Sequence, residues 1–134
     1  MNNQNILIYQ NEQGNIKVDV KFEDESIWLT QAQICELYGK AKSTISEHIK
    51  TIFEDEELDE KVVVRNFRTT TKHGAIEGKT QTKDVKYYNL DMIIALGFRV
   101  RSNTGIKFRI WANQKLKEYI TKGFVLDDDR FKNG

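Results

Sequence analysis

Apolar and polar residues alternate strictly from Ile16 to Phe22 (IKVDVKF), after a short apolar run Ile6–Tyr9 and the turn-like stretch NEQGN. A period of two, with branched residues on one face and Gly-Asn between the runs, predicts an antiparallel β-hairpin over residues 1–22. The period then changes. Ile34, Leu37 and Tyr38 recur at helical spacing, Thr30 stands where an N-cap belongs, and Gly39 where a left-handed C′ residue belongs. A second helix follows, starting after Lys42 or Ser43, with Ile45, Ile49, Ile52 and Phe53 as its apolar stripe. Thr44 and Glu47 have capping-box spacing. The acidic run 54–60 closes this helix as a solvated loop or a frayed end.

Residues 62–90 return to a strand-like pattern. Val62-Val63-Val64 opens it, RNFRTTT continues it, KHGAIEGK is a loop, and Thr80–Tyr88 is the returning strand. This predicts a long antiparallel hairpin. A helix capped by Asn89 or Asp91 runs through Phe98, and RVRSNTG makes a turn. A last helix spans Ile106–Lys122, with Phe108, Trp111, Ala112, Leu116, Tyr119 and Ile120 on one side. Residues 123–134 are expected to be a tail or linker. The sum is a single α/β (α+β) domain over 1–122 of winged-helix type. A helix-turn-helix occupies 30–53, a β-hairpin wing 62–90, and a C-terminal helix pair 91–122.

Composition narrows the functional classes. At 134 residues, 39% hydrophobic and 31% charged, the chain has an ordinary globular balance. Its longest apolar run, Met92–Phe98, is far too short to span a bilayer, and the N-terminus has no secretory pattern. A single cysteine excludes an internal disulfide and any multi-cysteine zinc site. A cytoplasmic location is the expectation. The net charge of +1 conceals a segregation: residues 23–61 hold eleven acids and four bases, residues 62–122 thirteen bases and four acids. A segment that basic has the electrostatic footprint of a polyanion binder, although a solvated face neutralised by the acidic half has the same composition.

The segment Leu37–Ile52 (LYGKAKSTISEHIKTI) concentrates the candidate chemistry. A helix-turn-helix needs a residue tolerant of positive φ in its turn, apolar residues that seat the second helix on the first, and short polar side chains facing outward. Gly39, then Ile45 and Ile49, then Lys42, Ser43, Thr44, Ser46 and Lys50 meet these needs in order. Short hydroxyl side chains let a helix approach DNA closely, and a helix N-terminus attracts phosphate. Glu47 suits the cytosine amino group. Backbone phosphates are assigned to Arg65, Arg68, Lys72 and Lys79 on the hairpin, and to Arg99, Arg101, Lys107 and Arg109 around the basic turn. Alternation about Val100 puts Arg99 and Arg101 on one side, where guanidinium forks fit phosphate oxygens. The competing reading for that cluster is helix C-capping and ion pairing with the acidic half.

GKAKSTISEHIKTI resembles the GVSRSTVSRHLKRL type of recognition segment in bacterial winged-helix regulators. It departs at Lys40, where an apolar residue is usual, and at Glu47, where a base is common. Farther along, YYNLD, GFRVRS and FRIWAN, together with IWLTQ around Trp28, resemble the RhuM virulence-protein family over roughly Trp28–Gly123. The layout is also similar to the Bro-N domain of phage and viral antirepressors. These resemblances imply a DNA-binding or mobile-element-associated role; double-stranded DNA is the expected partner and transcription regulation the expected role, and no motif for a cofactor, a metal or a small-molecule substrate is evident. The alternatives are a protein-interaction adaptor and an N-terminal targeting domain of a larger effector. A homodimer through the last helix or the N-terminal hairpin is compatible with so small a module. Catalysis has little support. Cys35 sits near a packing face, His48 is expected to be partly buried, His73 lacks a second ligand at metal spacing, and no nucleophile triad or phosphate loop occurs. Trp111 is assigned to the core.

Overall fold

Strict alternation does build a sheet, but a larger one than two separate hairpins. In a computed structural model of the chain, five antiparallel strands run in the order β1-β2-β3-β5-β4. They are β1 (Ile6–Gln10), β2 (Lys17–Glu23), β3 (Ser26–Leu29), β4 (Val64–Lys72) and β5 (Thr80–Asn89). The structure describes the backbone of residues 6–72 and 80–133 and the side chains of residues 6–68 and 82–119. The fold is mixed α+β, with five helices: α1 (Gln31–Tyr38), α2 (Lys42–Glu54), α3 (Glu60–Val63), α4 (Leu90–Arg99) and α5 (Asn103–Asn133). No described helix is long and apolar enough to cross a membrane.

The strand that joins the two hairpins is β3. It follows β2 through a two-residue turn, Asp24-Glu25, with φ of 54° and 59°. Both residues lie in the left-handed region that this tight hairpin turn requires. Trp28 and Leu29 then pair with Asn89 and Tyr88 of β5. The expected β4–β5 hairpin forms, in a register from Val64 opposite Tyr88 to Lys72 opposite Thr80. It is therefore half of the sheet, not a free wing, and only its distal part extends beyond the two-pair join to β3. Val62 and Val63 fall outside β4. Asp59 caps a short helical turn there by accepting from the Lys61 amide, and only Val64 enters the strand.

One face of the sheet carries Val18, Val20, Phe22, Ile27 and Leu29 into the core, where α1, α4 and α5 cover it. Phe108 and Ala112 of α5 are fully buried, and the Tyr9 ring meets Phe108 and Trp111 edge-on at 5.1 and 5.2 Å. Trp111 belongs to this packing, as expected. On the opposite face, Trp28 and Phe67 are buried under cations: the Arg65 guanidinium lies 4.8 Å from the Trp28 ring centre, and the Lys21 ammonium 4.8 Å from that of Phe67. The last helix begins at Asn103 rather than Ile106, with the Ser102 hydroxyl accepting from the Thr104 amide. Its backbone remains helical to Asn133, across the stretch expected to be a tail.

Candidate nucleic-acid interface

The helical pair α1–α2 forms as the sequence pattern requires. Thr30 accepts from the Gln33 amide while Gln33 returns a bond to the Thr30 amide, a complete capping box. Gly39 closes α1 at φ 64°, ψ 39°. α2 packs on α1 and α4 through Ile45, Ile49 and Ile52. Its remaining length faces solvent: Lys42, Ser43, Thr44, Ser46, Glu47 and Lys50 are all exposed. His48, at the boundary, is half-buried as expected. The Thr44–Glu47 capping box does not form, because the N-cap is Ala41, which offers no side-chain acceptor. The first N–H groups of α2 are thus left without a side-chain cap. Ser46 has a second duty: its hydroxyl accepts from the Gln31 amide nitrogen at 2.6 Å, and the same nitrogen reaches the Lys42 carbonyl at 3.3 Å. Gln31 therefore braces α2 against α1, a role that spacing alone did not reveal.

The basic residues assigned to phosphates divide into paired and free. Arg99 is only 26% exposed and reaches Glu57 at 2.7 Å and Asp55 at 3.8 Å, just past the C-terminus of α2. Its fork is occupied by the acidic loop, so the ion-pair reading of this residue describes the structure. The assumed alternation about Val100 also fails. Arg99 ends α4, whereas Arg101 takes φ 54° as the left-handed residue of a Schellman cap. There the Ser102 amide donates to the Gly97 carbonyl and the Arg101 amide to that of Phe98. Arg101 and Arg109 line one groove between α4 and α5, and neither makes an ion pair among the described residues. Lys107 points elsewhere and pairs with Glu12 at 3.7 Å.

On the hairpin, Arg65 is held by the Asp24 carboxylate as well as by the aromatic rings beneath it. Arg68 lies opposite Asp84 in register, 3.6 Å away and largely exposed. The Lys72 side chain and all of Lys79 and His73 lie outside the described residues. Cys35 packs against the core, and burial pushes its thiol up from the ordinary value, which favours the inert protonated form. Tyr38 is the buried polar anchor of the helical layer. Its hydroxyl donates to the Ile93 carbonyl at 2.6 Å, tying α1 to α4, and burial raises its pKa strongly.

The comparison with protein families decides one question. Residues 62–134, more than half of the chain, match the Virulence protein RhuM family. The chain belongs to that family. The matched span holds YYNLD, GFRVRS and FRIWAN, which here form the β5–α4 junction, the Schellman turn and the part of α5 that buries Phe108 and Ala112. It begins at Val62, so IWLTQ and the α1–α2 pair of this RhuM-family chain lie outside it. No curated protein and no solved structure matches the chain.

Proposed function

We propose that this RhuM-family protein binds double-stranded DNA in a sequence-recognising way, with α2 in the major groove, and acts as a regulator of transcription or of a mobile element. The observation that carries the reading is α2 itself: seated by three isoleucines, braced by Gln31, and exposed along Lys42, Ser43, Thr44, Glu47 and Lys50. A helix about 10–12 Å across fits a major groove about 12 Å wide. Its uncapped N-terminus suits a phosphate, and Lys42 and Lys50 supply charge. The distal β4–β5 hairpin, with Arg68 exposed, adds backbone contacts. The proposed role is binding, without a catalytic step and without a cofactor.

A duplex-binding selection on the purified protein tests the reading. The Ser43→Ala/Thr44→Ala variant is expected to lose sequence preference and keep nonspecific affinity. Ser46 is left intact because it also braces the helix. Lys42→Ala/Lys50→Ala is expected to lower the slope of log affinity against log salt by about 2. Absence of binding to any duplex at low salt would sink the proposal.

A further inference from the structure

Among the large apolar side chains exposed on the C-terminal helices, three gather at one place. Phe98, Ile106 and Ile110 are 72%, 60% and 63% exposed, and all three line one groove of about 690 Å³ between α4 and α5. Apolar groups this large, gathered in one concavity, mark a contact surface rather than ordinary surface scatter. A second concavity lies across Phe98, sharing Ile94, Phe98 and Arg109 with the first and adding Glu57 and Asp91. The charge along this face is therefore polar in direction, with Arg101 at one end and Asp91 at the other.

The spacing gives the occupant. Asp91, Ile94 and Phe98 succeed one another at helical intervals along α4, and Arg101, in the left-handed cap beyond it, lines the same groove as Ile94 and Phe98. The stripe is its own complement when reversed. A two-fold axis at the level of Leu96 sets Asp91 against the partner's Arg101 and Ile94 against the partner's Phe98, each twice. An acidic ligand helix would meet Asp91 and Glu57, and a basic one Arg101 and Arg109. A second copy of this chain meets opposite charge at both ends. Neither Asp91 nor Arg101 has an ion-pair partner among the described residues, so both are available.

We propose that the α4–α5 face is the contact surface of a homodimer in which α4 lies antiparallel to α4 of the second copy. Two copies related this way use the same patch on both sides and leave no open, chain-forming end. The surface adjoins the C-terminal end of α2, through Glu57 and Leu58. The N-terminal residues of that helix lie about 20 Å away along its axis, so self-association and DNA binding are separable.

Sedimentation equilibrium on the full chain without DNA tests this, with far-UV circular dichroism confirming that each variant is folded. The wild type is expected to dimerise, and Phe98→Asp to weaken the dimer by more than tenfold. Asp91→Arg and Arg101→Glu each place like charges opposite one another, so each alone is expected to weaken self-association about tenfold, some 1.4 kcal/mol. Mixed in equal amounts, these two variants restore both pairings and are expected to form a heterodimer near wild-type strength. A wild type that stays monomeric across the concentration series overturns the proposal. So does a dimer indifferent to Phe98→Asp, or a charge-swapped pair that fails to associate on mixing.

Discussion

Gly97 sits where α1, α4 and α5 converge, and replacing it with alanine should cost far more than a methyl group usually does. A Cβ at this position would lie 2.8 Å from the Tyr38 hydroxyl oxygen, 3.2 Å from the ring carbon that bears it, and 3.3 Å from the Gly105 Cα. The first distance is below any real contact, and the hydroxyl cannot simply swing aside because it donates to the Ile93 carbonyl. Crowding a packed core costs about 1–3 kcal/mol. Displacing the hydroxyl from its buried acceptor adds about 1–3 kcal/mol. Against this, alanine gains about 1 kcal/mol over glycine in a helix. The net expectation for Gly97→Ala is a loss of about 1–5 kcal/mol, centred near 3, a large share of a typical domain stability of about 5–15 kcal/mol. Tyr38→Phe alone should cost about 1 kcal/mol, one buried hydrogen bond. In that background the shortest contact is gone, so Gly97→Ala should then cost about 1 kcal/mol or less, for a coupling near 2 kcal/mol. Urea denaturation of the four proteins, followed by fluorescence of Trp28 and Trp111, measures the cycle. An equal cost of Gly97→Ala in both backgrounds, or a stabilised Gly97→Ala protein, would refute the reasoning.

Three other substitutions or conditions follow from the same structure. Burial raises the phenol pKa of Tyr38 above its ordinary 10.0, so the folded state holds that proton more tightly than the unfolded one. Stability is then complete below about pH 10 and falls as pH rises beyond it, by up to about 1.4 kcal/mol per unit for this group. Urea midpoints between pH 8 and pH 11 should show a shallower decline in Tyr38→Phe, and an unchanged slope would exclude the assignment. Glu25→Gly should raise stability by about 0.5–1 kcal/mol, since Glu25 holds φ 59° in the β2–β3 turn; a lower midpoint would count against it. Arg99→Ala should lower stability by about 1–2 kcal/mol, with the difference shrinking in high salt, while leaving duplex affinity in place. A variant of normal stability and weakened DNA binding would return Arg99 to the phosphate contacts.

How far the sequence led depended on whether a local rule had a residue to announce it. Thr30, Gly39 and Asn89 follow capping chemistry, and α1 and α4 could be drawn from them, whereas α2 rested on its isoleucine stripe because its expected cap does not form. The hairpin 62–90 could be drawn from its β-branched residues, and it forms from Val64 onward. β3 was not foreseen because its turn uses Asp24-Glu25, where such turns usually announce themselves with Asn or Gly. Without β3 the two hairpins looked independent, and the β4–β5 hairpin was read as a wing. The Schellman turn was hidden for the same reason: Arg101 occupies the left-handed site where glycine is common. The α4–α5 groove was not foreseen: Phe98 falls within the apolar run of α4, and Ile106 and Ile110 lie off the stripe of Phe108, Trp111, Ala112 and Leu116 that marks the buried side of α5.

The charge segregation along the chain is the feature whose meaning changes most in three dimensions. A strongly basic segment following a strongly acidic one suggests a polyanion-binding half and a separate acidic half. Folding lays the two against each other. Arg99 closes on Asp55 and Glu57, and Arg65 on Asp24; Lys107 is taken by Glu12. Such pairs are worth little individually where they are exposed, yet each removes a cation from those a phosphate could use without competition. Among the described residues, exposed cations outside any ion pair include Lys17, Lys40, Lys61, Lys83, Lys86 and Lys117, together with two groups at the faces argued above, Lys42 and Lys50 on α2 and Arg101 and Arg109 at the α4–α5 groove. These two groups lie toward different ends of the helical layer, one beside short hydroxyl side chains and the other beside exposed apolar ones. Hydroxyls with lysines suit a hydrated polyanion; apolar side chains with arginines, and an aspartate across the ridge, suit a protein surface. The same distribution of charge therefore argues for two interfaces on this fold, and the net charge of either segment describes neither of them.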